Sequence, residues 1–151
     1  DLNPALVGGL AERFLSEEIP CEVRVQDARC VPAARATWDV AVLAYTLHHL
    51  APDDAARCLR ELDRVSGGGL VVVDIDRNIL GLTLLPVIVT MLAPGAFPYV
   101  VHDGLVSVRR AYSRRELRTL LDRAGLGGRY RVGPLPTRHP QRFVANVILP
   151  I

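Results

Sequence analysis

The sequence predicts an α/β fold in which a mostly parallel sheet is flanked by helices. Segments with a strand pattern alternate along the chain with segments of helical period. The apolar, valine-rich run LVVVDID at 70–76 is typical of a central parallel strand. The last two strand-like segments, GRYRV and RFVANVIL, flank a proline- and glycine-rich stretch, which predicts an antiparallel C-terminal strand pair.

The first helix is predicted from DLNPALVGGLAERFLSEE. Asn3 suits the N-cap and Pro4 the first helical position, and Leu6, Leu10 and Phe14 share one face. We expect this face to pack on the sheet.

Two strands and a helix are expected next. CEVRVQD (Cys21–Asp27) alternates as a half-buried strand, and WDVAVLAY at 38–45 indicates a more fully buried one. Asp53 or Asp54 can cap a helix that reaches 65, where the glycines at 67–69 end it.

The second half contains one strong helix signal. Ser113 and Glu116 form a capping box, apolar residues follow at helical spacing, and Gly125 ends the helix. The two C-terminal strands complete a single domain of 151 residues.

The composition excludes several classes of protein. Half of the residues are hydrophobic, which argues against a disordered chain. The net charge is only +2 and the arginines are dispersed along the chain, so the charge pattern does not favour nucleic-acid binding. The chain has three cysteines, Cys21, Cys30 and Cys58, and no two of them form a CxxC pair. This spacing predicts that they bind no metal and remain reduced thiols, as in a cytoplasmic protein. The apolar run at 79–93 is too short for a membrane span, and Pro86 interrupts it.

Acidic side chains lie at the ends of two predicted strands, at Asp27 and Asp74, and a third, Asp1, opens the chain. Ligands bind at the carboxyl ends of the strands in open α/β sheets, where a carboxylate can accept from ribose hydroxyls or from a purine amino group. Each aspartate can equally well cap the helix that follows it.

Four segments in order carry a resemblance to a known family: DLNPALV, VQDARCVPAARATWDVAVLAYTLHHL, LRELDRVSGGGLVVVDIDR and HDGLVSVRRAYSRRELRTLLDRAGL. This series resembles the class I S-adenosylmethionine-dependent methyltransferases of the small-molecule type. The resemblance implies a Rossmann-like sheet, S-adenosyl-L-methionine as cofactor and methyl transfer as the reaction. It also implies a set of cofactor-binding residues, which are Asp1 on the ribose, Leu2 on the adenine face, Asp27 on the adenine amino group with the Ala28 amide beside it, Ala44 near the methionine moiety, and Leu47.

The turn LHHL is implied to cross between cofactor and acceptor. His49 is our first candidate for a general base and His48 the second, because a neutral imidazole can accept a phenol proton. The alternative is that one histidine faces solvent while the other binds a backbone carbonyl. His102, next to Asp103, is a further acid/base candidate with the same structural alternative.

One feature of the family is missing. Its glycine-rich loop lies ahead of the position that is Asp1 here, and the sequence has no such motif at the corresponding place. We therefore expect a partial domain whose sheet has a gap, and which depends on an upstream segment or on a partner chain, as in a homodimer.

The segment 78–112 is expected to form a lid over the acceptor site within the single domain 1–151. Its apolar character favours a hydrophobic or aromatic small-molecule acceptor and O-methylation, as in natural-product biosynthesis. Two other functions stay open: a non-catalytic methyltransferase-like interaction module, and a nicotinamide-dependent oxidoreductase.

Overall fold

The computed structural model describes residues 2–77, 106–134, 136 and 145–151. Within these ranges the sheet has the strands β1 (Ala41–Ala44), β2 (Leu70–Ile75), β3 (Tyr130–Pro134) and β4 (Ala145–Pro150). Their order across the sheet is β1-β2-β4-β3. β1 pairs with β2 in parallel, whereas β4 is antiparallel to both of its neighbours. The predicted α/β fold with an antiparallel C-terminal strand is confirmed, but the described sheet is mixed and not mostly parallel, with one parallel strand pair and two antiparallel pairs.

Three helices lie in the described ranges together with shorter helical pieces. They are α1 (Pro4–Ser16), α2 (Pro52–Val65) and α3 (Arg114–Arg123); residues 106–110 are also helical, and Leu47–His49 form a 3₁₀ turn.

The helix caps follow largely from local sequence. The Asn3 side chain accepts from the backbone N–H groups of the first turn of α1, as predicted, and Ser113 caps α3 with the full capping box. The start of α2 differs from the prediction: Ala51 is the N-cap, and Asp53 lies in the first turn. Pro52 begins the helix earlier because its fixed φ suits the first helical position.

The core lies between the sheet and the helices α2 and α3. Its almost completely buried side chains include Leu59 of α2, Leu117 and Leu121 of α3, Leu70 of β2 and Ile148 of β4. These side chains meet because the apolar faces of the two helices cover the same face of the sheet.

The predicted strand Cys21–Asp27 is wrong. The segment has no regular secondary structure, and no strand lies beside it among the described residues. A strand needs a neighbour to satisfy its backbone groups, so an alternating pattern alone does not produce one.

The apolar face predicted for α1 is not buried either. Val7 is the one buried residue of this helix, and Leu6 is 51% exposed. At the nearby sheet edge, β1 has β2 as its one strand partner in the described ranges, and Val42 is 67% exposed. The described strands form one continuous sheet, and the expected gap stays a prediction.

Of the helices in the described residues, none has the length and apolar character needed to cross a membrane. The apolar run at 79–93 lies outside the described residues.

Candidate cofactor-binding site

A cavity of about 410 Å³ opens at the carboxyl end of β1. Three separate parts of the chain form its wall: the N-terminal residues, the turn after the segment 21–27, and the turn after β1. The lining residues are Leu2, Gln26, Asp27, Ala28, Arg29, Leu43, Thr46, His49 and Leu50. Four of the predicted site residues, Leu2, Asp27, Ala28 and His49, thus share one cavity.

Asp27 is held by its neighbour Arg29. The backbone N–H of Arg29 donates to Asp27 Oδ1 at 2.8 Å, and its guanidinium donates to both carboxylate oxygens. These hydrogen bonds lower the pKa of Asp27 to about 2, so it is a charged acceptor at neutral pH. A second ion pair, from Arg29 to Asp54 at 2.9 Å, ties this turn to α2. A carboxylate offers about four lone-pair sites, so Asp27 can accept a further donor from the cavity.

A sharp turn follows β1 and directs the chain across the cavity. Tyr45 has a φ of 50°, in the left-handed region that is uncommon for residues other than glycine. Its backbone N–H donates to the carbonyl of Val73 on β2, and Thr46 Oγ1 donates to the carbonyl of Ala44. Ala44 itself is exposed at the end of the strand. Strained backbone of this kind is concentrated at functional sites.

The two adjacent histidines occupy different environments. His48 is 4% exposed; its Nδ1 lies 2.6 Å from Asp74 Oδ1, and its backbone N–H donates to Asp74 Oδ2 at 3.1 Å. Asp74 is equally buried, at the end of β2. The two contacts with Asp74 fix the orientation of the His48 imidazole ring. His49 is exposed and lines the cavity, and the two imidazole centroids are 4.0 Å apart.

The comparisons with known proteins agree with this geometry. Residues 1–69 match a family model described as "Methyltransferase domain". Residues 1–69 therefore resemble a methyltransferase domain. The matched residues include the whole lining of the cavity, from Leu2 to Leu50, and both histidines.

Several solved structures share the fold of this chain. A SAM-dependent methyltransferase from Aquifex aeolicus is 19% identical with a TM-score of 0.62, and the alignment covers 98% of this chain and 64% of that one. Magnesium protoporphyrin IX methyltransferase from Synechocystis PCC 6803, with bound SAH, is 18% identical with a TM-score of 0.57, and the alignment covers 98% of this chain and 59% of that one. The mitomycin 7-O-methyltransferase is 20% identical with a TM-score of 0.59, and the alignment covers 97% of this chain and 39% of that one. The chain thus spans less than two thirds of the length of each.

No curated protein matches the sequence.

Not every predicted site residue lines the cavity. Asp1 and His102 lie outside the described residues. Leu47 is completely buried in the core, because its side chain points from the 3₁₀ turn into the layer between α2 and the sheet. A contact between Leu47 and the cofactor stays a prediction, as does the role of Ala44.

The sequence did not reveal the polar residues around the end of the sheet. Asn146 of β4 is 1% exposed and accepts from Arg114 Nε at 2.8 Å, and the guanidinium of Arg114 is also 3.6 Å from Asp76. Asp74 faces Asn146 across the β2–β4 pairing. The DID pattern at the end of β2 marked these aspartates as strand-end acids, but it could not identify their partners, which come from α3 and β4.

The described residues contain no group of three or more histidine, cysteine, aspartate or glutamate side chains that could hold a metal ion.

Proposed function

We propose that this protein is a class I S-adenosylmethionine-dependent methyltransferase, which transfers the methyl group of that cofactor to an oxygen atom of a small, hydrophobic or aromatic acceptor. One observation carries the proposal: Leu2, Asp27, Ala28 and His49, far apart in the sequence, line the same cavity at the carboxyl end of β1. This edge is where open α/β sheets bind their ligands.

The cavity suits the adenine end of the cofactor. Its volume of about 410 Å³ lies within the range of small-molecule sites, and Leu2 and Leu43 supply apolar surface for a planar ring. The ionised Asp27 would accept a hydrogen bond from the adenine amino group, and the Ala28 amide is the expected donor to a ring nitrogen. The bound cofactor supplies a methyl group on a sulfonium, which is already a good leaving group.

The reaction needs positioning, exclusion of water and a proton acceptor. Methylation of a hydroxyl oxygen would release its proton, so the acceptor would need a base near that oxygen. His48 is our proposed base because Asp74 fixes its ring through Nδ1, the arrangement that orients a histidine base in other enzymes. His49, our first candidate from the sequence, lines the cavity beside Asp27, which supports a role in holding adenine.

The acceptor class follows from the composition of one segment and from one similarity in fold. The apolar segment 78–112, most of which lies outside the described residues, favours a hydrophobic or aromatic acceptor. The similarity in fold to the mitomycin 7-O-methyltransferase is compatible with O-methylation of a natural product. We also propose that this segment covers the acceptor.

Cofactor binding is tested by calorimetry with S-adenosylmethionine. We expect Asp27→Asn to weaken binding about tenfold, the equivalent of one charge-assisted hydrogen bond. Asp39→Asn removes the same charge from an exposed residue outside the cavity and should leave the affinity within about twofold. If wild-type protein does not bind the cofactor, or both variants bind equally, the proposed site is wrong.

The histidine roles are separated by steady-state kinetics with a simple phenol as acceptor. His48→Gln should lower kcat with little change in the affinity for S-adenosylmethionine, whereas His49→Gln should weaken that affinity with little change in kcat. Asp74→Asn should lower kcat and alter the pH profile, because it removes the charge that holds the imidazole. The opposite pattern would assign the base to His49. Cofactor binding without turnover of phenols, alcohols or amines would favour the non-catalytic interaction module.

A further inference from the structure

A second cavity, of about 420 Å³, lies against the C-terminal half of α2, the segment 31–36 and the turn at 125–129. Five arginines line it: Arg35, Arg57, Arg60, Arg64 and Arg129. It shares no lining residue with the cofactor cavity, so it is a separate site.

The two acidic residues of this wall are already neutralised. Glu61 accepts from the guanidinium of Arg64 at 2.7 and 2.8 Å, which lowers its pKa to about 2. Asp63, 6% exposed, accepts from Arg129 at 2.6 Å and from the Tyr130 hydroxyl at 2.5 Å. The other three arginines form no ion pair with a carboxylate of the described residues. Three arginines of the lining, Arg35, Arg57 and Arg60, therefore have no carboxylate of the described residues within ion-pair distance.

Hydrogen bonds between its walls fix the shape of this cavity. Arg64 donates to the carbonyls of Ala33 and Val31, and the Val31 N–H donates to Glu61 at 2.8 Å. Arg60 donates to two carbonyls at the end of α3, at 3.2 and 3.4 Å. A cavity built in advance loses less conformational entropy on binding than a set of mobile surface side chains.

We propose that this arginine cavity binds a small molecule that carries a diphosphate group. Guanidinium groups bind phosphate oxygens in pairs of parallel hydrogen bonds, and several uncompensated charges favour a ligand with more than one negative charge. A cavity of about 420 Å³ has room for more than a single phosphate. Its concave wall, formed by three segments, fits a small ligand better than the extended backbone of a nucleic acid.

The test is calorimetry on the whole chain with inorganic pyrophosphate, uridine diphosphate and geranyl diphosphate, which distinguish a free, a nucleotide and a lipid diphosphate. We expect at least one of them to bind about tenfold more tightly than orthophosphate, because it engages more guanidinium groups. The double variant Arg35→Gln/Arg57→Gln should weaken that binding by about tenfold or more. Both residues are exposed, so circular dichroism should show a wild-type fold.

A charge-matched control separates a site from a generally basic surface. Arg109→Gln/Arg115→Gln removes the same charge from exposed residues that do not line the cavity, and it should change the affinity by less than about twofold. Arg35→Lys/Arg57→Lys keeps the charge and should restore part of the binding. The proposal is overturned if no diphosphate binds more tightly than orthophosphate, or if both glutamine variants lose affinity equally. It is also overturned if duplex DNA binds the cavity arginines and displaces pyrophosphate.

Discussion

Replacing Tyr130 by phenylalanine should destabilise the fold by about 2–4 kcal/mol. The Tyr130 hydroxyl donates to the buried carboxylate of Asp63 at 2.5 Å and accepts from the Leu70 N–H at 3.1 Å. Loss of a hydrogen bond to a charged group costs roughly 1.5–3 kcal/mol, and loss of one to a neutral group roughly 0.5–1.5 kcal/mol. The variant would also leave the fully buried Leu70 N–H without an acceptor, which places the effect in the upper part of the range for single substitutions.

The assay is urea unfolding followed by circular dichroism. With an m-value of about 2 kcal/mol per molar urea, the expected loss lowers the midpoint by about 1–2 M. Tyr45→Phe is the matched control, because Tyr45 is 46% exposed, and it should change stability by less than about 0.5 kcal/mol. If the two variants unfold at the same urea concentration with unchanged m-values, the hydrogen bonds of Tyr130 do not stabilise the fold and the reasoning is refuted.

Three further predictions concern the same fold. Burial and the hydrogen bond to Asp63 raise the pKa of Tyr130 to about 12, so the folded state holds this proton more tightly than the unfolded state. The free energy of unfolding should therefore fall by roughly 2–3 kcal/mol as the pH rises from about 10 to 12. Alkaline unfolding curves of the Tyr130→Phe protein should lack this decrease. Ser113→Ala should cost about 1 kcal/mol by removing the N-cap of α3, and an unchanged thermal midpoint would contradict the capping argument. Gly68→Ala should destabilise the fold strongly, because a Cβ at this position would lie 2.7 Å from the backbone oxygen of Asp39. Gly67→Ala is the control, since a Cβ there would lie 3.5 Å from its nearest neighbour. Equal stability of the two alanine variants would show that the backbone around Gly68 shifts freely.

The elements that were predicted correctly depend on residues close together in the sequence. The capping box of Ser113 and Glu116 starts α3, Asn3 starts α1, and the valine-rich run at 70–75 forms β2 parallel to β1. In each case the local chemistry of a cap or a buried strand is sufficient to specify the element. The similarity of four ordered segments to class I methyltransferases also indicated which strand ends would carry the site.

The errors concern features that need a distant partner. Cys21–Asp27 alternates like a strand, but no described strand pairs with it. The apolar face of α1 has the correct helical period, but Leu6 is largely exposed. Periodicity reports which residues could share a face, whereas burial depends on whether another element covers that face.

The sequence by itself determined the α/β class, most of the helices and strands, and the position of acidic and histidine residues at one edge of the sheet. Only the tertiary structure decided that His48 is buried against Asp74 while its neighbour His49 faces the cavity. Only the tertiary structure, likewise, left Arg35 and Arg57 without an ion pair among the described residues, beside a wall whose carboxylates are already paired. The physical reason is the same in both cases: hydrogen bonds and ion pairs between residues far apart in the chain form only after the elements have packed.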